Sequence, residues 1–333
     1  MFFKDTADFK KYFSVNYSFE FPELTVWLNH VDRTVLKKYL GSAFLAQLQA
    51  AFDAAATAAA VAAPLTQVVE LIRVCTAPLT IAEWVPSGQV QMDNSGIRIA
   101  SSEHFKTAFQ WQVRDLEASL RQNGTSGLED LLSYLHDNIA SYATYSGSDE
   151  YKENKYLFVP SAKEFTKHFS PMNNSHVNFY KMKSIIRKIE DFDIKAILLP
   201  NYFNDLKTKL QSTTALLPVD KTIIDMIKPA VINLTIARAI DEMAASIDKN
   251  GFLVFDNTAG RETTEMKKQA GGDALVRLKH SCTVDGTQYL DNLKKYLEAN
   301  TLLYTMYAAD PLYTPFVSNN FDNQETNNFF YGG

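Results

Sequence analysis

The chain is predicted to be mainly α-helical, built as two tandem duplicated helical bundles, each with a short β-hairpin or strand segment after its central helix. Three observations predict this. Leu79-Thr80-Ile81-Ala82 recurs as Leu234-Thr235-Ile236-Ala237, and Gly96 recurs as Gly251, 155 residues apart both times. Phe9-Lys10-Lys11-Tyr12-Phe13-Ser14 answers to Phe165-Thr166-Lys167-His168-Phe169-Ser170, and Ser133-Tyr134-Leu135-His136-Asp137-Asn138 to Lys295-Tyr296-Leu297-Glu298-Ala299-Asn300, by type and order. Apolar residues recur at spacings of three and four through both copies, the period of a helix face. A repeat this long exceeds a solenoid unit and marks a duplicated domain, and 333 residues suit two domains on size alone. The expected order is a first helical domain over 1–144, a polar, turn-prone linker over 145–156, a second helical domain over 157–308 and an extended arm over 309–333.

Within the first copy, Leu24, Leu28, Val31, Val35, Leu36 and Leu40 predict an amphipathic helix that Gly41 ends at positive φ. The second copy has Ile185 to Leu199 and then Pro200, which stops a helix by lacking an N–H. Both copies resume at Phe44 or Phe203. The alanine tract from Ala50 to Ala60 favours continued helix, read as a spacer packed closely on a neighbour. Central helices follow over Val68–Trp84 and Ile223–Ile247, apolar on most sides and therefore expected in the middle of each bundle. Pro78 and Pro229 fall at non-equivalent places, so different kinks are expected. Turns at Asn94-Ser95-Gly96 and Lys249-Asn250-Gly251 precede β-favouring residues, which predicts short strands. Helices over about 102–122 and 262–279 should then lead through a glycine- and threonine-containing loop to a closing helix with Leu131, Leu132 and Leu135, or Leu293, Tyr296 and Leu297.

The net charge of −5 falls entirely within residues 1–156, and residues 157–333 balance. The longest basic runs are pairs such as Lys37-Lys38 and Lys294-Lys295, so a phosphate-gripping surface is not expected. The two cysteines, Cys75 and Cys282, have no ligand spacing and predict neither a disulfide framework nor a zinc site. The amino-terminal residues do not read as a signal sequence, and no apolar window approaches a membrane span.

No catalytic motif is present: no phosphate-binding glycine loop, no dinucleotide fingerprint, no nucleophile elbow and no paired-histidine metal motif. The six histidines are scattered singly, which suits structural or surface roles. Neighbouring carboxylates such as Glu129-Asp130 and Asp241-Glu242 face different directions on a helix, which suits solvation better than shared acid–base work. The expectation is a protein that is not an enzyme and uses no cofactor or metal.

The segment from Tyr313 to Gly333 has no lysine or arginine and no helical period, and it carries Tyr313, Phe316, Phe321, Phe329, Phe330 and Tyr331 among five asparagines. Rings spaced along such a strip suit docking into grooves, where a few buried aromatics supply most of the affinity. These six are the candidate partner-binding residues, docking either on the chain itself or on a partner.

In its repeated unit, Leu-Thr-Ile-Ala in a central apolar helix followed by an Asn-Ser-Gly or Lys-Asn-Gly turn and a β-rich segment, the chain resembles a family of uncharacterised proteins from phages and prophages of gut bacteria. It is also similar in plan to the helical adaptor proteins that form the ring beneath the portal in tailed-phage heads. The resemblance covers about residues 1–305; known adaptors have one such bundle, and this chain has two. It implies a structural virion protein of the neck or tail region, made in the host cytoplasm. As a head–tail connector it would form a homo-oligomeric ring, dodecameric if it follows portal symmetry, contacting portal and tail proteins. DNA would pass through the channel without sequence-specific binding, and no membrane would be involved. An acidic first copy would suit a lumen through which DNA slides. The alternative is a soluble, non-enzymatic module with two related ligand- or partner-binding bundles.

Overall fold

A computed structural model describes residues 1–13, 21–88, 90–93, 96–99, 109–212, 216–243, 245–248, 251–254 and 272–315. The chain is mainly helical, as predicted, and it divides into two compact units, Met1–Ser184 and Ile185–Gly333.

In the first unit the Asp5 carboxylate accepts from the Asp8 N–H and caps α1 (Thr6–Lys10). α2 (Phe21–Val31) turns Leu24, Leu28 and Val31 inward. A π turn at Asp32–Leu36 and α3 (Lys37–Leu40) continue the same helical path to Gly41. Gly41 has φ +76° and ψ 157°, a region that residues with a Cβ enter only under strain. α4 (Ser42–Ala54) then buries Phe44, Leu48 and Phe52. The alanine tract does not continue as a helix. Ala55 is extended, a 3-10 turn spans Ala58–Ala60, and Ala58 and Val61 are buried. Helix propensity differs between residues by only tenths of a kcal/mol, about 0.7 at most for ordinary residues, so burying these two side chains decides the path.

α5 (Leu65–Gly88) is the central helix, and it runs unbroken through Pro78. It carries two core clusters: one with Phe44, Phe52, Val68, Ile72, Leu131 and Leu135, the other with Phe3, Phe9, Leu24, Leu28, Ile81 and Leu120. β1 (Val90–Asp93) pairs antiparallel with β2 (Gly96–Ile99), Val90 opposite Ile99 and Asp93 opposite Gly96. α6 (Gln110–Asp137) is a single helix where two helices and a loop were expected. Gly124 and Gly127 do not make a turn. A Cβ on Gly127 would lie 3.0 Å from the Cys75 Cα and 3.1 Å from its N, so these glycines let α6 approach the backbone of α5.

The expected linker at 145–156 belongs to this unit. Tyr145, at the end of α7 (Ala143–Ser146), is fully buried. Ser148 caps α8 (Asp149–Lys155), in which Asn154 is buried. Polar composition suggested a tether, but the rings of Tyr145 and Tyr151, 5.6 Å apart, anchor the segment in the core. α9 (Ala162–His168) follows, and the division between units falls within α10 (His176–Ile189). The boundary thus lies later than the predicted 156/157, because Val177 and Tyr180 of the second copy pack into the first unit's core.

In the second unit a π turn at Glu190–Ile194 and α11 (Lys195–Leu198) repeat the first copy's path. Leu199, with φ +63° and ψ 156°, occupies the conformation of Gly41. Pro200 is not the counterpart of Gly41, as the sequence had suggested; it opens α12 (Pro200–Gln211), where its missing N–H costs nothing. α13 (Pro218–Glu242) is the second central helix, continuous through Pro229. β3 (Ala245–Asp248) pairs antiparallel with β4 (Gly251–Val254), Ala245 opposite Val254. α14 (Gly272–Ala299) is again one long helix, and a Cβ on Gly286 would lie 2.7 Å from the Leu234 Cγ. The described chain closes with α15 (Thr305–Ala308).

Candidate interaction surface

The two copies share side-chain detail as well as helices. The Tyr142 hydroxyl donates to the Pro64 carbonyl at 3.1 Å, and the Tyr304 hydroxyl to the Val219 carbonyl at 3.5 Å. Tyr134 and Tyr296 lie beside these rings, with centroids 6.3 and 6.0 Å away. Asn138 and Asn300 each donate their side-chain amide to a carbonyl one turn back, at 2.9 and 2.8 Å. Each π turn opens on an acid withdrawn from water. Asp32 pairs with the Met1 ammonium at 2.7 Å, and Glu190, 2% exposed, pairs with Lys207.

Polar groups inside the first unit are structural. Arg73, 3% exposed, pairs with Asp8, bonds Glu70 at 3.1 Å, donates to the Tyr12 hydroxyl at 3.0 Å and lies over the Tyr12 ring. Burial opposes ionisation of Asp8, but hydrogen bonds from Arg73 and the Lys4 backbone hold its pKa below the usual carboxylate value. Burial, with a hydrogen bond to Glu70, pushes Tyr12 up to about 12. Two of the singly scattered histidines come together: the His136 and His176 rings lie 4.6 Å apart. Burial and then the His176 charge push His136 down to about 4, with Asp137 opposing, and burial lowers His176 also. Glu129, expected to be solvated, instead accepts from the Ser175 hydroxyl at 2.5 Å, the His176 N–H at 2.7 Å and the Val177 N–H at 3.1 Å. It covers the open N–H groups at the start of α10. Among the described residues no group of three or more His, Cys, Asp or Glu is placed to hold a metal ion, and no helix is long and apolar enough to cross a membrane.

The segment after α14 carries several exposed large apolar side chains. Asp310 is buried, and its carboxylate accepts from the Asn201 N–H at 2.8 Å and the Leu312 N–H at 2.9 Å, capping α12 from a distant part of the chain. The start of the predicted arm is therefore folded, because Asp310 ties it down. Tyr313, half-buried, stacks edge-on against Tyr307 with ring centroids 5.2 Å apart. Burial, together with the charges of Glu298 and Tyr313, pushes Tyr307 up to about 12. The other candidate partner-binding residues, Phe316, Phe321, Phe329, Phe330 and Tyr331, lie outside the described residues. Sequence reasoning missed what precedes them: Leu302, Leu303, Met306 and Leu312 are all exposed, Leu302 to 93%. Around them Tyr304 and Tyr307 point inward, so the segment turns one face to the core and an apolar face to solvent. The signal was available in the repeat. The matching positions of the first copy are Ala140, Ser141, Thr144 and Glu150.

Residues 36–155 and 194–317 each match the model of one family, a family of unknown function (DUF6712). The chain belongs to this family, twice over. Each match begins at the end of a π turn, so the family unit runs from the short helix before Gly41 or Leu199 through the glycine-notched long helix and beyond. The first unit of the family ends on α8, whereas the second ends in the exposed apolar segment and the start of the arm. No curated protein and no solved structure matches the chain.

Proposed function

We propose that the chain is a structural virion protein, a head–tail connector or adaptor subunit that forms a ring linking portal to tail around a DNA channel. The observation that carries this reading is the exposed apolar segment Leu302–Leu312 leading directly into an aromatic arm. Large apolar side chains left exposed together in one short segment mark a place where another protein can sit. Two rigid copies of one module supply area for lateral contacts, and an arm that reaches a neighbour reinforces a head-to-tail ring. In this reading the six arm aromatics are the partner-binding residues, the protein resides in the virion neck or tail, and it works without chemistry or a cofactor.

The test is assembly. Sedimentation velocity and negative-stain imaging of the purified chain should show closed rings of identical subunits. A monomer at every concentration would overturn the reading and favour the soluble two-bundle binding module instead.

A further inference from the structure

We propose that the apolar surface formed by Leu302, Leu303, Met306 and Leu312 is the receptor for the aromatic arm, residues 316–333, of a second copy of this chain. The proposal rests on the ring reading and names the contact that builds the ring.

Duplication provides an internal control that a single domain lacks. The same backbone turn occurs in both copies, with Tyr142 and Tyr145 buried in one and Tyr304 and Tyr307 buried in the other. In the first copy the matching positions hold Ala140 and Ser141, which are exposed, and Thr144 and Glu150, which are half-buried. The second copy keeps the inward tyrosines and has an exposed large apolar side chain at each of the four positions. Folding of the turn does not require this, since the first copy folds without it. What the substitution adds is a binding face.

The occupant follows from what the chain carries next. Four residues beyond Leu312 the sequence reaches Phe316, then Phe321, Phe329, Phe330 and Tyr331, with no lysine or arginine among them. Five aromatic anchors on a strip whose only charges are Asp322 and Glu325 complement an apolar face, since a few buried rings supply most of the affinity of such a contact. Among the described residues nothing covers these four side chains, which are between 47% and 93% exposed, so the face is open to an occupant. Receptor and arm are different surfaces of one polypeptide, so their pairing is heterologous: each copy gives one arm and takes one, and the series ends only when a ring closes.

The experiment uses two full-length variants. One carries the first copy's residues at the receptor, Leu302→Ala, Leu303→Ser, Met306→Thr and Leu312→Glu. The other keeps the receptor and carries Phe321→Ser, Phe329→Ser, Phe330→Ser and Tyr331→Ser in the arm. Circular dichroism and thermal unfolding check that both fold as the parent does; the receptor changes replace exposed side chains and the others lie in the arm. Self-association of each variant alone should weaken at least tenfold by sedimentation. When they are mixed, one intact receptor meets one intact arm, so a heterodimer should form and growth should stop there. If the parent assembles and both variants still assemble alone, the arm–receptor contact is wrong while the ring reading stands. If only the arm variant assembles, receptor faces pair with each other. If neither assembles alone and the mixture stays monomeric, the contact is overturned as well. A parent that is monomeric throughout overturns the ring reading itself.

Discussion

Gly41 and Leu199 hold the same backbone conformation with opposite consequences. Glycine enters the region near φ +70° freely, whereas a residue with a Cβ is strained there by about 1–3 kcal/mol. At Gly41 an added Cβ would also run into the Glu150 carboxylate. Gly41→Ala should therefore lower stability by roughly 2 kcal/mol, read as a drop in the denaturant midpoint with an unchanged slope. Leu199→Gly relaxes strain but loses a half-buried side chain, so its effect should be much smaller. The buried histidine pair sets a pH dependence. His136 titrates near 6.5 when unfolded and is pushed down to about 4 when folded, so the unfolded chain takes up the proton more readily. Its contribution is complete above pH 6.5 and is lost as pH falls from 6.5 toward 4, by about 3 kcal/mol in all. His136→Phe should flatten the stability curve over that window, as measured by chemical denaturation at pH 7 and pH 5. An unchanged loss would place the acid sensitivity elsewhere.

At the level of elements, the paired central and long helices are held by notches. Helix propensity favours alanine over glycine by about 1 kcal/mol, so two glycines in the middle of α6 are retained at a cost. They are explained by the backbone of α5 at Cys75, about 3 Å from where a Cβ on Gly127 would sit. Gly127→Val should destabilise the first unit by about 2–3 kcal/mol, because a branched side chain there forces α5 and α6 apart. A matching fall in thermal midpoint checks it, and Gly127→Ala should be milder because helix propensity offsets part of the clash. Gly286 meets Leu234 as Gly124 meets Leu79, so that close approach belongs to the repeated module, whereas the contact of Gly127 with Cys75 belongs to the first copy. The sequence reading took the glycines and threonine of this region for a loop, since glycine marks turns and close approaches alike. Without a partner helix in view the two uses cannot be told apart.

On the scale of the whole molecule, the arrangement of charge yields a prediction of its own. Lysine and arginine form no run longer than a pair, and the surplus of −5 sits in the first copy. The chain should show no measurable affinity for double-stranded DNA at physiological salt, because binding without phosphate neutralisation lacks its main driving term. A filter-binding or mobility-shift titration checks this, and salt-sensitive binding would point to a basic surface the sequence does not suggest. Such indifference is what a DNA channel requires of its wall.

Duplication, helical class and central helices were legible from residues alone, because Leu-Thr-Ile-Ala and its apolar flanks repeat in register and a period of three and four survives divergence. The arm's aromatic character was legible too, since composition needs no partner. Domain limits were not. A polar stretch at 145–156 looks like a tether until Tyr145 and Tyr151 are seen in the core, and the unit boundary moved into α10 because Val177 and Tyr180 pack across sequence distance. Burial, close helix approach and the solvent-facing side of Leu302–Leu312 are properties of neighbours in space. Local preference sets which elements form; only tertiary packing decides which face of each is left for another chain.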